Sequence, residues 1–439
     1  MKALVSKVKI TPKKGTPMGG NVRLDNKSRG VHDDLFCNIL ILNDGNKKIC
    51  LLGFDLVGLK YVTCSSIKKA ISKNTDIAFE NIVMFATHTH SGPDTCMRMY
   101  NGIEKEIDEY LLLIEEKIKD EMIRLTKQEY IEVVLKSGKT NITDLSFNRR
   151  LIRKNNEVVM NFEQFEIEDI IGTTGPIDPE LLTLSIWNKN NQLIGVLVNF
   201  TLHPAILVGL DWLISRDYID SLDNSLKNKY GSDLVVLFAN GAEGNINHLN
   251  YKEPNQWRDF RETNRIGSKL GKYVIENINQ SHKLQGQIDF VSKVAQLQLR
   301  EIKPEEIKWA NMVMIRDKDK LEDAFDGIPD KTYAKMVLAM TKRNEKTYET
   351  VIQGLFIDDF AFITFPGEVY VEFGIAVKQA TKQNNTMIIG IANSQAGYIP
   401  KEEAFSQGGY EVRTAWSSQL VYNAGDLLVQ YIKEEIIKE

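Results

Sequence analysis

The stretch Asn81-Ile-Val-Met-Phe-Ala-Thr-His-Thr-His-Ser-Gly-Pro-Asp94 decides how the chain is read. Its apolar run, residues 82–86, suits a strand covered on both faces, and Ser91-Gly92-Pro93-Asp94 is turn chemistry that stops it. The run delivers His88 and His90 to a strand tip. Side chains at i and i+2 of a strand share a face, so the two imidazoles are expected to point the same way. Histidine is scarce, at 6 in 439 residues (His32, His88, His90, His203, His248 and His282), and a lone ring is more often a hydrogen-bonded structural residue. A His-x-His pair at the end of a buried strand points instead to a metal or catalytic role.

Outward from this stretch the same design recurs. Residues 48–54 end in Asp55, 193–202 in His203-Pro204, and 234–239 in Asn240-Gly-Ala-Glu-Gly-Asn-Ile-Asn247. Residues 360–365 end in Pro366-Gly-Glu368, and 387–392 in Asn393 and Tyr398. Helical periods separate them, over 61–73, over 104–127 (Ile107, Tyr110, Leu111, Ile114, Ile118, Met122, Leu125) and over 258–279 (Ile266, Leu270, Tyr273, Val274, Ile278). The class is α/β, with mixed sheets flanked by helices in one large domain, 1–439, and a possible subdomain seam near 170–178. A last amphipathic helix is expected to place Trp416, Leu420, Ala424, Leu427, Leu428 and Tyr431 on one face. The charged segment 300–350 reads as two exposed helices broken at Gly327-Ile-Pro329, which could cover a site, with a solvated pair the plainer reading.

Composition narrows the function. With 55 Lys and Arg against 59 Asp and Glu, the net charge of -4 leaves no electrostatic footprint for nucleic acid. No run approaches the ~18 apolar residues of a membrane span, and the N-terminus lacks an apolar signal region, so a cytoplasmic protein without a stable membrane anchor is expected. Cys37, Cys50, Cys64 and Cys96 lack metal or redox spacing and read as reduced, buried thiols.

Ligands of such sheets bind at the carboxyl ends of strands. Convergence of the tips would bring His88, His203 and Glu368 into the two-His, one-carboxylate set of hydrolytic zinc sites, with Tyr398 as a further oxygen. Each residue also has a plainer reading. Glu368 could compensate a helix dipole, Tyr398 could be packing, and Arg149 in Asn148-Arg149-Arg150 a surface charge rather than a substrate anchor. In the loop with Gly15, Gly19 and Gly20, backbone can approach a ligand closely.

Several motifs occur together and in a family's order: Thr87-His-Thr-His-Ser-Gly-Pro93, Asn148-Arg149, Leu202-His203-Pro204 with Ser215 and Asp217, Gly244-Asn-Ile-Asn247, Pro366-Gly-Glu368, and residues 393–400 followed by Glu402-Glu403. Over nearly its whole length the chain resembles the catalytic domain of neutral/alkaline non-lysosomal ceramidases. The resemblance implies one zinc ion held by His88, His203, Glu368 and Tyr398, with His90 and Arg149 in the active site, and hydrolysis of an N-acyl amide bond. Two departures stand out. The family's Gly-Asp-Val-Ser loop, whose serine has been considered the nucleophile, is here Gly244-Asn245-Ile246-Asn247, and the family's C-terminal β-sandwich and export signal have no counterpart in this sequence.

The expectation is therefore a zinc amidohydrolase using metal-activated water on a small soluble acyl amide rather than ceramide. His90 or a nearby carboxylate would be the base. Tyr398, Arg149 and backbone N–H groups of residues 241–245 would stabilise the oxyanion, and Asn247 would orient substrate or water. Gly20, Asp94, Gly241, Gly244, Asn245 and Asn393 are the expected substrate contacts. A zinc esterase or lactonase, and a non-catalytic zinc protein that binds an acylated metabolite, remain open alternatives.

Overall fold

The computed structural model describes residues 1–21, 25–96, 103–207, 212–253, 255–316 and 328–438. Strands β1 (Lys2–Lys9), β2 (Phe36–Asn43) and β3 (Lys48–Phe54) pair antiparallel. The turn between β2 and β3 is fixed by Asp44, whose carboxylate accepts from the Asn46 and Lys47 N–H groups. Helix α1 (Tyr61–Asn74) crosses over to β4 (Ile82–Ala86), which lies parallel to β3. After α2 (Glu104–Thr126), strands β5 (Ile131–Asn141), β6 (Glu180–Asn188) and β7 (Leu193–Phe200) pair antiparallel. Helix α3 (Tyr218–Tyr230) then leads to β8 (Val235–Asn240), parallel to β7. The strands form one sheet in the order β8-β7-β6-β5-β1-β2-β3-β4.

After α4 (Phe260–Gln280) a second sheet begins with β9 (Asp289–Gln298). Helices α5 (Pro304–Met314) and α6 (Asp330–Met340) intervene before β10 (Thr347–Ile357) and β11 (Phe360–Thr364). Helix α7 (Val371–Ala380) returns the chain to β12 (Asn385–Ile389), parallel to β11, in the order β9-β10-β11-β12. The last α-helix, α8, is Ala424–Ile432.

The two sheets lie face to face. Leu42, Leu51, Val83, Leu197 and Leu237 of the first join Leu355, Phe360, Phe362 and Met387 of the second in one cluster. Their sequence neighbours point the opposite way. Leu52 and Met84 meet α1 and α2, Val198 and Val236 meet α3 and α4, and Ile352, Ile363 and Ile388 meet α7 and α8. Both faces of the strands are thus covered, which is why they read as continuous apolar runs. Each large apolar side chain buried here contributes roughly 1.5–3 kcal/mol, so the inter-sheet layer holds the two sheets in register.

Two expectations are corrected, and two strands had no expectation at all. Strands β9 and β10 were not legible, because the edge strand β9 carries Lys293 and Gln296, with Val294 exposed, in place of an apolar run. The last helix starts at Ala424, leaving Trp416 and Leu420 outside it, and Leu427 is exposed. Segment 300–350 does form two helices, although Gly327 lies outside the described residues. They are not merely solvated, since Tyr333 and Met336 of α6 face the cavity described below. The four cysteines are buried and form no disulfide among the described residues. Among the described residues no helix is long and apolar enough to cross a membrane.

Candidate metal centre

Strand β4 ends at Ala86, and the chain turns before its histidines. His88 has a φ of 71°, in the left-handed region. The same-face rule for strands therefore does not apply to His88 and His90; the turn brings them together. The His88 ring hydrogen-bonds through Nδ1 to the Val57 carbonyl, which directs Nε2 inward. Nε2 of His88 lies 3.2 Å from Nε2 of His90, which is 2.9 Å from Nε2 of His203. The rings meet edge-on, and the candidate ligand atoms all lie within 4.8 Å of one another, a group that could hold a metal ion.

His203 follows β7 in a loop braced by Asp217. The Asp217 carboxylate accepts from the Ile206 and Leu207 N–H groups and, at the start of α3, from Tyr218 N–H, while the Tyr218 hydroxyl donates to the Leu202 carbonyl. Ser215 donates to Asp33 in the same brace. Asp55, at the tip of β3, is committed elsewhere, paired at 2.8 Å with buried Arg216.

The carboxylate comes from the second sheet. Glu368–Val369 pairs in parallel with Tyr398–Ile399. Glu368 Oε1 accepts from Gln395 Nε2 at 2.8 Å, whereas the buried Oε2 finds no hydrogen-bond partner among the described residues and faces His88 Nε2 at 3.4 Å. A partnerless buried carboxylate oxygen beside three convergent ring nitrogens fits a cation between them. Burial alone would raise the pKa of Glu368, but His88, Tyr398 and Arg149 outweigh it and hold it below the usual range. Burial likewise opposes the charged form of His88, yet Glu368 carries its pKa upward, while burial and the neighbouring imidazoles push His203 well below its usual value.

These groups form the floor of a cavity of about 410 Å³. Arg149, Asn247, His248 and Tyr410 line its sides, and Phe162, Leu249, Ile328, Tyr333, Met336 and Trp416 give it apolar walls. Arg149 is buried, donating from Nε to Glu411 at 3.0 Å and from Nη2 to the Gly244 carbonyl, with its guanidinium over the Tyr398 and Tyr410 rings. The side chain of Asn247 is held at both ends. Its Nδ2 donates to Asn161, and its Oδ1 accepts from Asn161 Nδ2 and Leu249 N–H.

Of the expected substrate contacts, Gly20 alone lines the cavity. It has a φ of +84°, and a Cβ there would lie 2.6 Å from His90 Cγ, so its bare Cα is what lets the loop touch His90. The others stand behind the wall. Asp94 is buried behind Gly19, and Gly241 abuts Thr201. Gly244 abuts the Glu368 backbone, where a Cβ would come within 2.4 Å of the carbonyl oxygen. Asn245 accepts from Val371 N–H and donates to Glu372. Asn393 accepts from Lys68 and donates to Val351 and Gln353. The Gly241 and Gly244 N–H groups are spent on the Phe200 and Val369 carbonyls, so they do not serve an oxyanion.

The sequence reading passed over Tyr410, Glu411 and Glu243. Glu243 is fully buried, neither of its oxygens has a hydrogen-bond partner among the described residues, and burial raises its pKa to about 8 despite nearby His88. A carboxylate among glycines at a strand tip was the available signal. Tyr410 and Glu411 lie in a short 3-10 segment without periodicity, and nothing in the sequence singled them out.

Fold and site define a mixed α/β protein whose strand tips enclose a histidine-rich, metal-competent chamber. The chain belongs to the neutral/alkaline non-lysosomal ceramidase family: residues 5–304 match the model for the family's N-terminal region. The neutral ceramidase of Pseudomonas aeruginosa is 25% identical over 304 residues, covering 66% of this chain. The aligned region covers 43% of that protein, so the chain spans less than half the length of this curated relative. The crystal structure of neutral ceramidase from Pseudomonas aeruginosa superposes with a TM-score of 0.74 at 19% identity, over 99% of this chain and 74% of that one. A ceramidase complexed with C2 does so with a TM-score of 0.74 at 18% identity and the same coverage. These likenesses establish a shared fold.

Proposed function

We propose that the chain hydrolyses an N-acyl amide bond at one zinc ion held by His88, His203 and Glu368, with Tyr398 beside them. The observation that carries this reading is the convergence of ring nitrogens from one sheet on a buried carboxylate oxygen from the other, which has no hydrogen-bond partner among the described residues. Membership of the ceramidase family supports the acyl-amide class. When bound, zinc supplies Lewis acidity, polarising an acyl carbonyl and acidifying water.

The chain's own groups do the rest. His90 is the more exposed of the three imidazoles, and its Nε2 takes the proton from attacking water and returns it to the leaving nitrogen. The Tyr398 hydroxyl, on a ring that lies under the Arg149 guanidinium, donates to the developing oxyanion. Asn247 offers no hydroxyl, so water rather than a side chain attacks. The apolar walls exclude bulk water, and a chamber of about 410 Å³ suits a small acyl amide better than a two-chain lipid. The test is metal content and turnover measured on the same samples, against matched amides and esters. His88→Ala should lose both metal and activity, and His90→Ala should keep metal and lose activity. Equal metal in wild type and His88→Ala would overturn the site, and ester turnover without amide turnover would favour an esterase.

A further inference from the structure

Arg258, an exposed residue, lines the metal chamber, and among the described residues it has neither an ion pair nor a hydrogen bond, unlike Arg149, which is paired with Glu411. Beside it on the same wall is His248, 4% exposed. The Trp257 backbone is next to this ring, but among the described residues neither ring nitrogen has a partner within hydrogen-bond geometry. A buried polar ring that lacks a hydrogen-bond partner among the described residues thus stands beside a solvent-facing guanidinium without a counter-ion, on the wall of a substrate-sized cavity. An oxyanion would satisfy both. Arg presents a planar fork of donors matched to a carboxylate, and a neutral imidazole can add one N–H. Burial and the Arg258 charge both oppose protonation of His248, which therefore remains a neutral donor and leaves the cationic role to Arg258.

We propose that Arg258 and His248 form a carboxylate subsite, so that the substrate is an acyl amide bearing a free carboxylate, of the N-acyl amino acid type. This rests on the amide-hydrolase reading of the same chamber. The carboxylate end docks at Arg258 and His248, and the amide reaches the histidines and Glu368. Phe162, Leu249 and Met336 cover the apolar remainder.

The experiment compares an N-acyl amino acid with its uncharged primary carboxamide, using zinc-loaded wild type, Arg258→Gln and Arg258→Lys. Wild type should prefer the acid by about 10- to 100-fold in kcat/KM, the scale of a lost charged hydrogen bond. Arg258→Gln should bring that ratio close to one, and Arg258→Lys should restore part of it. Calorimetric binding of the acid to His88→Ala, which lacks a metal ligand, separates this claim from the hydrolase reading. Binding that requires Arg258 upholds the subsite even if no amide is turned over. Equal handling of acid and carboxamide by wild type, or an unchanged ratio in Arg258→Gln, overturns it.

Discussion

Gly20→Ala is a sharp test of how the chamber is built. The added Cβ would lie 2.6 Å from His90 Cγ and 2.7 Å from both Cα and Cβ of His90. Carbon atoms rest about 3.5–4.0 Å apart, so the two segments must separate by roughly 0.8–1.4 Å. Because His90 Cα is among the atoms struck, the ring cannot simply swing aside. The backbone adds a further cost, since φ at this position is +84° and the left-handed region disfavours a residue with a Cβ by about 1–2 kcal/mol. In a chain this long that lowers Tm by a few degrees at most. The catalytic effect should be far larger. Misplacing a general base by about 1 Å costs on the order of 100-fold in rate, while His88, His203 and Glu368 stay where they are. Gly20→Ala is therefore expected to keep its metal, melt within a few degrees of wild type, and lose about 100-fold in kcat. Metal analysis, a melting curve and steady-state kinetics on one preparation decide the matter. Unchanged kcat with unchanged Tm would refute the contact and the role given to His90.

Other outcomes follow from the same geometry. Glu368→Gln removes the charge facing His88 while preserving shape, and should weaken zinc binding about 10- to 100-fold in a chelator competition; undiminished affinity would remove Glu368 from the ligand set. Serine-directed acylating reagents should leave activity intact, because position 247 is asparagine with its amide engaged by Asn161; mass-spectrometric labelling at the chamber would contradict this. Lys68, 2% exposed and donating to Asn393, has its pKa pushed down to about 8 by burial. Its unfolded value is about 10.4, so between these values the unfolded chain holds the proton that the folded chain has released. Stability should therefore rise with pH across that window by about 3 kcal/mol. Denaturant titrations of wild type and Lys68→Met should differ by this rise, and parallel curves would count against it.

How much was legible in the sequence varied with the kind of signal. Strands buried on both faces, such as β4 and β8, announced themselves as apolar runs, and their polar endings located His88, His203 and Glu368. The tip residues did not announce which way they face. Asn393 looks no different from Asn247 in the sequence, yet one is tied to Lys68, Val351 and Gln353 behind the wall while the other lines the cavity. The glycines misled for a related reason. Gly244 is small because the Glu368 backbone passes against it, not because a ligand does. Tyr410 reaches the chamber from a short irregular segment, where no periodicity fixes a direction in advance, and Arg258, expected within a helix over 258–279, lies just ahead of α4.

The imidazoles and the carboxylate of the chamber belong to different sheets, and this has a mechanical consequence. His88 and His203 ride on the tips of β4 and β7, whereas Glu368 and Tyr398 ride on the other layer. The spacing of the donor atoms thus measures the offset between two sheets packed through apolar side chains and pinned by a few polar contacts, such as Asn199 Nδ2 to the Ile388 carbonyl and Gln353 Nε2 to the Ile82 carbonyl. Sliding one sheet over the other would open the donor polygon before it exposed much core. Any ion gripping that polygon acts as a rivet across the sandwich, and its affinity is, by linkage, a gauge of how firmly the two layers are clamped.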